Sequence, residues 1–235
     1  MIAHSSLGLK TSIINQLKNI RIHFVFQPIY DLKTEEIVAY EALMRPEGET
    51  PLELIDRYEA KRQLHLIELA TFFGATIAYY ERGYQELLSV NSFPSEAFYP
   101  DESEIYFDYF PSDIKEKLIV EILEYPHFSP TYWNLKRQQI KNNDIKIALD
   151  DFGSGYNDYS SLSLIEPNFL KLDRCLISDI HTSPKKQKRL EEILKVAHSL
   201  NIKVLAEGIE TKDEYDYIQK SGTELAQGFY LGRPM

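Results

Sequence analysis

Residues 145–156 read IKIALDDFGSGY, and this stretch decides the fold. It begins as a short apolar run and ends in two adjacent carboxylates, Asp150 and Asp151, with glycines after them. A short run of successive apolar residues is typical of a strand buried on both faces, as in a parallel sheet covered by helices. The charged residues at its end indicate the edge where parallel strands finish, which is where such folds carry their functional sites.

The same arrangement recurs along the chain, because other apolar runs also end in a polar side chain. These residues are Glu41 in IVAYEAL, Asn91 in LLSVN, Glu121 in KLIVE, Lys171 in NFLKLD, Glu207 in IKVLAE and Gln227 in ELAQG. Side chains that resist burial, repeated at strand after strand, are the signature of a barrel with its active site at one rim. Carboxylates gathered at such a rim repel each other unless a metal ion or a positive charge holds them. The sequence therefore indicates a metal-dependent enzyme.

Apolar runs alternate with segments of helical periodicity over the whole chain. The predicted strands are 22–30, 36–43, 87–91, 117–122, 145–150, 168–172, 202–206 and 224–227, and the predicted helices are 51–60, 63–82, 128–142, 184–200 and 211–220. About eight strands alternating with helices favour an α/β fold of modified TIM type, a (β/α)8 barrel, over a doubly wound sheet.

Two segments depart from an ideal barrel. The first two strands are joined by DLKTE alone, which is too short for a crossover helix, so we expect this pair to be antiparallel. Residues 93–116 are acidic and aromatic, and we expect them to form an irregular connection. For domain organisation, we expect a lead-in helix over residues 1–21 and one domain over residues 22–235.

Composition excludes several functional classes. The chain has 235 residues and a net charge of −10, so binding of long nucleic acid, which needs a basic face, is not expected. No apolar run approaches the roughly 18 residues of a membrane span, and no signal peptide is recognisable. Cys175 is the single cysteine, which suits a reducing cytoplasm, and we expect it to be buried. The six histidines lack the spacing of a zinc site.

At this point the chain resembles a known family. It carries the segments FQPIYDLKTEEIVAYEALMR, LSVN, IVEILE, ALDDFGSGY, LKLD, LAEGIET and AQGFYLGRP in the order found in EAL domains, which are bacterial phosphodiesterases of cyclic di-GMP. The resemblance extends from about Ile22 to Met235. It implies a cytoplasmic enzyme that hydrolyses cyclic di-GMP, a small-molecule substrate, to linear pGpG. It also implies a homodimer.

The resemblance assigns the metal site to particular residues. It implies that Glu41, Asn91, Glu121 and Asp150 bind a first ion. Because Asp150 and Asp151 are adjacent in sequence, one of them can bridge two ions while the other faces a second ion or water. Oxygen ligands of this kind suit Mg²⁺ or Mn²⁺, with one or two ions per site, and we expect Ca²⁺ to inhibit.

Further roles are implied for residues around the metals. Lys171 holds the nucleophilic water or neutralises the departing oxygen, and Glu207 is either the general base or a second-metal ligand. Arg45 is implied to contact substrate phosphate, and Glu210 and Gln227 to help hold the metal–water network or the substrate. Gln27 is implied to lie at the edge of the site, on the substrate side, with a weaker role. Glu124 is implied to anchor the loop 151–156. That loop is expected to be mobile, to lie over the metals and to take part in dimer contacts.

The sequence also departs from the family pattern and leaves alternatives open. Leu123 stands where threonine is usual, and Asn157 and Asp158 stand where serines are common, which puts loop ordering in doubt. Asn91 alone is more often a turn residue. Asp173 is balanced between a structural and a functional role. With no GGDEF motif and no sensor segment, we expect a stand-alone EAL domain. The alternatives to the enzyme are an inactive EAL domain that acts as a cyclic di-GMP receptor, and a protein-interaction module that binds no nucleotide.

Overall fold

A computed structural model describes Leu17, residues 20–124, residues 129–153 and residues 159–235. Its strands follow one another in chain order around a closed barrel. They are β1 Ile22–Asp31, β2 Ile37–Pro46, β3 Leu87–Ser92, β4 Leu118–Ile122, β5 Lys146–Phe152, β6 Phe169–Leu172, β7 Lys203–Ala206 and β8 Leu225–Ala226. The predicted barrel is confirmed, and each observed strand lies close to its predicted bounds.

The strands from β4 to β8 are parallel to their neighbours, and β1 runs antiparallel to β8. In register, Ile122 pairs with Leu149, Leu170 with Val204, and Ala206 with Ala226. The carboxyl ends of these parallel strands therefore meet at one edge, where the polar residues that follow each apolar run are brought together.

The predicted antiparallel pairing of β1 with β2 is also confirmed. The connecting turn is closed by a hydrogen bond from the Asp31 N–H to the Glu36 carbonyl at 3.0 Å. The Asp31 carboxylate accepts from the N–H groups of Lys33 and Thr34. An aspartate that bonds to the backbone two and three residues ahead is a strong turn former, so five residues suffice to reverse the chain.

The helices among the described residues cover most of the connections between strands. They are α1 Pro51–Glu59, α2 Leu64–Glu81, α3 Pro100–Tyr109, α4 Ile114–Lys117, α5 Pro130–Asn142, α6 Tyr159–Ile165, α7 Arg174–Ile177, α8 Pro184–Ser199 and α9 Lys212–Ser221, with a 3-10 turn at Ile180–Thr182. The helices predicted from periodicity correspond to α1, α2, α5, α8 and α9. None of the described helices is long and apolar enough to cross a membrane.

The expectation of an irregular connection over residues 93–116 was wrong, because this segment contains α3 and α4. The start of α3 has clear signals: Pro100 occupies the first turn, and the Glu102 carboxylate accepts from the Tyr99 N–H at 2.8 Å. The helix then buries Tyr106, whose ring packs edge-on against Phe73 of α2 at a centroid distance of 5.2 Å. Tertiary packing of aromatic side chains outweighs the weak helix propensity of this segment.

Two compact units can be distinguished. Counting the described residues only, the first unit draws on Met1–Val25, Ala42–Leu118 and Tyr125–Ile145, and the second on Phe26–Glu41, Ile119–Glu124 and Lys146–Met235. The first unit has an aromatic core around α2 and α3, and the second has an aliphatic core that includes Leu170, Val204 and Ile209. The predicted lead-in helix lies almost entirely outside the described residues, and the division at residue 21 stays a prediction.

Candidate active site

The second unit contains a cavity of about 290 Å³ at the carboxyl ends of its strands. It is lined by Gln27, Glu41, Asp150, Lys171, Asp173, Arg174, Glu207, Gly208, Glu210, Gln227, Gly228 and Phe229. Acidic side chains outnumber basic ones in this lining, so the cavity attracts cations and repels anions. An anionic ligand would bind here only together with cations from solution.

A lysine lies at the floor of the cavity, surrounded by carboxylates. The Lys171 side chain is 3% exposed, and its Nζ contacts Glu121 Oε1, Glu207 Oε1 at 2.8 Å, Asp150 Oδ1 at 3.1 Å and Glu41 Oε1 at 3.7 Å. β6 places this lysine, because Lys171 sits between the buried residues Leu170 and Leu172 and must face the barrel interior. One ammonium therefore faces four carboxylates.

The charge in this cluster shifts the pKa of its members. Burial disfavours the Lys171 ammonium, but Asp150, Glu121, Glu207 and Glu41 together raise the pKa of Lys171 well above its usual value. Burial raises the pKa of Glu121 to about 8, with Lys171 opposing the shift. The pKa of Glu207 is raised for the same reason and with the same opposing lysine. The cluster holds more negative charge than one lysine can neutralise, so further positive charge would stabilise it.

Asp150 and Asp151 owe their arrangement to a bulge in β5. Leu149 pairs with Leu170 and Phe152 with Leu172, so β5 has one residue more than β6 over this interval. Asp151 also has a positive φ of 52°. In a regular strand adjacent side chains point to opposite faces, whereas here carboxylate oxygens of Asp150, Asp151 and Glu207 lie within 4.8 Å of one another. Strain of this kind is typical of a functional site.

Asp151 titrates above the usual range of an aspartate. Burial, followed by the neighbouring carboxylates of Asp150 and Asp173, raises the pKa of Asp151 to about 6. Glu124, the half-buried second residue after β4, contributes to the same shift. Glu124 is therefore close enough to act on Asp151, although the loop that it was expected to anchor has residues outside those described.

Gln227 connects β8 to the same cluster. Its Nε2 donates to Glu41 Oε2 at 2.7 Å, which holds that carboxylate in place. Its other amide atom, Oε1, is buried and has no hydrogen-bond partner among the described residues. A buried amide oxygen without a hydrogen-bond donor is unfavourable, so a cation or a water molecule bound beside the carboxylates would stabilise it.

The mouth of the cavity is shaped by Arg174 and two glycines. The Arg174 guanidinium donates to the carbonyl of Gly208 and to Glu210 Oε2, the latter at 2.8 Å. Gly228 allows a close approach of two backbone segments, since a Cβ at this position would lie 2.1 Å from the carbonyl oxygen of Ile209. Gln27, which also lines the cavity, donates through Nε2 to the carbonyl of Gly232 at 3.0 Å.

The donor set fits a hard divalent cation. Carboxylates from β2, β4 and β5, and from the residue after β7, converge with an amide oxygen that has no other partner in the described part of the chain. Oxygen-only sets of this kind select Mg²⁺, Mn²⁺ or Ca²⁺ over metals that prefer sulfur or imidazole ligands.

The structure therefore brings most of the predicted site residues together. Seven of them line the cavity, namely Gln27, Glu41, Asp150, Lys171, Glu207, Glu210 and Gln227, while Glu121 contacts Lys171 and Asp151 lies beside Asp150. Arg45 on β2 and Asn91 on β3 belong to the first unit, and their part in the site stays a prediction. The substituted loop positions Asn157 and Asp158 lie outside the described residues.

Sequence reasoning missed part of the lining. Arg174, Gly208, Gly228 and Phe229 were not predicted, although the first three each directly follow a residue that was singled out, namely Asp173, Glu207 and Gln227. The position that follows a predicted site residue at a strand end could therefore have been included among the candidate lining residues. Asp173 lines the cavity as well, and its carboxylate accepts from the Cys175 N–H at 2.9 Å. The expectation that Cys175 is buried was wrong, because it lies at an exposed position of α7.

Comparisons with known proteins agree with this geometry. The sequence profile of the EAL domain matches residues 11–234. The antirepressor BluF of Escherichia coli, described as regulated by blue light and temperature, is 26% identical over 216 residues, which are 88% of this chain and 52% of BluF. The cyclic di-GMP phosphodiesterase TpdA of Vibrio parahaemolyticus is 27% identical over 221 residues, which are 88% of this chain and 36% of TpdA. The chain thus spans about half or less of the length of these curated relatives.

Solved structures give the same result. A standalone versatile EAL protein of Vibrio cholerae, in its cyclic di-GMP-bound form, has a TM-score of 0.81 and 30% identity, with 92% of both chains covered. Klebsiella pneumoniae BlrP1 with calcium and cyclic di-GMP has a TM-score of 0.79 and 26% identity, covering 91% of this chain and 55% of BlrP1. BlrP1 has also been solved with manganese and cyclic di-GMP. From the barrel, the acidic cluster and these matches together, we conclude that this chain belongs to the EAL domain family.

Proposed function

We propose that this chain hydrolyses cyclic di-GMP to linear pGpG with Mg²⁺ or Mn²⁺. The observation that carries the proposal is the buried cluster of Lys171 with Glu41, Glu121, Asp150 and Glu207 at the floor of an open cavity. A domain that had lost catalysis would have little reason to keep so much buried like charge, because burial of each carboxylate is costly.

The metal would be held by Glu41, Glu121 and Asp150, with Asn91 as a further ligand and with Asp151 and Glu207 beside a second ion. When bound, divalent cations shield the charge of the phosphodiester and lower the pKa of a coordinated water. Ca²⁺ is larger and accepts irregular coordination, so we expect it to occupy the site and inhibit turnover.

Hydrolysis adds one water molecule across one P–O bond. The oxygen of water joins phosphorus, the water gives up a proton, and the ribose oxygen leaves and takes up a proton. Glu207 is the candidate acceptor of the water's proton, because its carboxylate lies at the floor of the cavity beside Lys171, Asp150 and Asp151. Glu207 as a ligand of a second ion is the alternative role. Lys171 then holds the water or neutralises the leaving oxygen.

Substrate would be held by residues around the mouth of the cavity. Arginine forks suit phosphate oxygens, so Arg45 is the proposed phosphate contact. Gln27, Glu210 and Gln227 would contact the substrate or the water network. We further propose that the protein works as a homodimer in the cytoplasm and lowers cyclic di-GMP signalling there.

A second function, in a different class, is a receptor or interaction module that binds cyclic di-GMP without cleaving it. The observation that favours it is the match to BluF, a protein named as an antirepressor, at an identity similar to that of the named phosphodiesterase TpdA. The two functions differ in whether cyclic di-GMP is cleaved: the enzyme converts it to pGpG, and the receptor leaves it intact.

Chromatography of cyclic di-GMP after incubation with the purified chain decides between them. Parallel reactions contain Mg²⁺, Mn²⁺, Ca²⁺ or EDTA. The enzyme predicts conversion to pGpG with Mg²⁺ or Mn²⁺ and none with Ca²⁺ or EDTA. Ligand-dependent stabilisation without conversion supports the receptor, since a ligand at 100 times its Kd adds about 2.7 kcal/mol. If the chain shows neither conversion nor stabilisation, the remaining alternative is an interaction module that binds no nucleotide.

A further inference from the structure

The first unit contains a buried ion pair that none of the sequence motifs includes. Lys136 of α5 is 5% exposed and Glu68 of α2 is 1% exposed, and Lys136 Nζ lies 2.8 Å from Glu68 Oε1. Burial lowers the pKa of Lys136, while Glu68 opposes that shift. A buried pair of this kind carries a large desolvation cost, so its contacts indicate what it does.

The pair contacts the end of β3. Glu68 Oε2 accepts from the Phe93 N–H at 3.1 Å, and Lys136 Nζ donates to the Phe93 carbonyl at 2.6 Å. Ser92 Oγ donates to Glu68 Oε1 at 2.6 Å and accepts from Lys136 Nζ. The three N–H groups of the ammonium thus each have an acceptor, and both backbone polar groups of Phe93 are bonded to side chains. We call Glu68, Lys136 and Ser92 the β3 clamp.

The clamp acts where strand pairing stops. β3 ends at Ser92, so the N–H and carbonyl of Phe93 lie beyond its last strand residue, although Phe93 is only 3% exposed. Buried backbone groups need partners, and here charged side chains from two helices provide them. Replacement of a buried ion pair by apolar residues of similar volume is often neutral for stability, but here it would leave both backbone groups of Phe93 without these bonds, which is unfavourable.

We propose that Glu68 and Lys136 are positioning residues that fix Asn91 as a metal ligand. This inference rests on the proposed function, because it takes Asn91 as a ligand. Asn91 directly precedes Ser92 and Phe93, the two residues that Glu68 and Lys136 contact. A neutral amide oxygen is attracted to a cation less strongly than a carboxylate is. Its contribution to metal affinity therefore depends on how firmly the backbone of its residue is held in position.

The test uses the full chain carrying Glu68→Leu together with Lys136→Met, which replaces the charged pair by apolar side chains. The readout is Mn²⁺ affinity, measured from the electron paramagnetic resonance signal of free Mn²⁺ during titration. We expect about tenfold weaker Mn²⁺ binding with the fold retained by circular dichroism, because loss of the groups that hold a metal ligand in place typically weakens metal affinity by at least that factor. Asn91→Ala should weaken binding by a similar factor, and adding it to the clamp variant should weaken binding no further.

Two further variants keep the test decisive if the double replacement does not fold. Ser92→Ala removes one bridge and leaves the ion pair, and we expect about threefold weaker Mn²⁺ binding. Thr76→Val is the matched control, because it removes a different buried hydrogen bond of α2, that between Thr76 and Tyr106 at 2.6 Å. We expect it to lower stability and leave Mn²⁺ affinity unchanged.

Two results would overturn the inference while leaving the proposed function standing. One is wild-type Mn²⁺ affinity in every folded clamp variant, and the other is a loss in the clamp variant that adds in full to the loss from Asn91→Ala. A wild-type chain that binds no Mn²⁺ would instead overturn the proposed function, and the role of the clamp with it.

Discussion

Lys171 Nζ lies 2.8 Å from Glu207 Oε1, and this contact joins the ends of β6 and β7 at the floor of the cavity. The two residues come from neighbouring strands, since Lys171 pairs in register with Leu205, two residues before Glu207. Lysine is thus the cation that holds the carboxylates together in the protein alone. Bound divalent ions would share that task, which makes the contributions of lysine and metal to stability interdependent.

The first prediction concerns this interdependence. Lys171→Met removes the one buried ammonium from the cluster and leaves its carboxylates uncompensated. In EDTA we expect the variant to lose about 3 kcal/mol in its free energy of unfolding, as for other buried pairs broken on one side. Urea unfolding with EDTA and with saturating Mn²⁺ measures the effect, and the loss should be smaller with Mn²⁺. Lys188→Met, at an exposed position of α8, is the control. An equal loss with and without Mn²⁺ would refute the interdependence.

The second prediction separates the two roles of Glu207. Glu207→Gln keeps the size of the side chain and removes its basicity. If Glu207 is the general base, turnover should fall more than 100-fold while the number of Mn²⁺ ions bound per chain stays the same. If it is a ligand, the stoichiometry of Mn²⁺ should fall as well. Single-turnover rates and equilibrium dialysis measure the two quantities, and a rate within threefold of wild type would exclude both roles.

The third prediction concerns the pH dependence of stability at His65, which belongs to the first unit. Burial disfavours the charged form of His65, but hydrogen bonds to Glu102 and Glu96 raise the pKa of His65 to about 9. Its pKa in the unfolded chain is about 6.5, so the stabilisation is complete below pH 6.5 and is lost as pH rises through 9. After allowance for solvent screening, we expect about 1–2 kcal/mol.

Urea unfolding at pH 6, 7.5 and 9.5 tests this dependence on His65. The wild type should lose stability over that range, and His65→Gln should show a smaller slope. Parallel curves for the two proteins would show that the charge of His65 does not contribute to folding.

Much of the fold was predictable because its signals are local. β5 is an apolar run, and the turn after β1 is set by Asp31, so both could be located from sequence alone. α3 has local signals only at its start, in Pro100 and Glu102, and the rest of the helix depends on packing of Tyr106 against Phe73, a contact 33 residues apart in sequence that no local window contains. The Glu68–Lys136 pair was equally hidden, since two charged residues on separate helices indicate solvent exposure by default.

The site was predictable in its members but not in its geometry. Strand-end positions identified Glu41 and Glu207, and parallel pairing brings such positions to one edge. The bulge that turns Asp150 and Asp151 toward the same cluster depends on a register shift against β6, and sequence does not specify that shift. The contact of Arg174 with Gly208 likewise depends on how the loops after β6 and β7 meet.

The fourth prediction concerns Gly228. Alanine at this position would place Cβ 2.1 Å from the Ile209 carbonyl oxygen and 2.3 Å from its nitrogen, so backbone must move. We expect a loss of about 2 kcal/mol or more, together with weaker cyclic di-GMP binding, because the mouth of the cavity shifts. Gly222→Ala is the matched control, since its Cβ would meet open space and only its φ of 93° is unfavourable. It should cost about 1 kcal/mol. Equal costs for the two variants would show that the close approach at Gly228 is easily relieved.

The central claim is metal-dependent hydrolysis by the carboxylate cluster, and the most direct measurement is the rate of pGpG formation in wild type and Glu41→Ala. Glu36→Ala, which removes an exposed carboxylate from the turn before β2, is the control. We predict that wild type and Glu36→Ala form pGpG only with Mg²⁺ or Mn²⁺, and that Glu41→Ala is slower by more than 100-fold. Formation of pGpG by Glu41→Ala at near the wild-type rate, or no pGpG from the wild type with either metal, would contradict the claim.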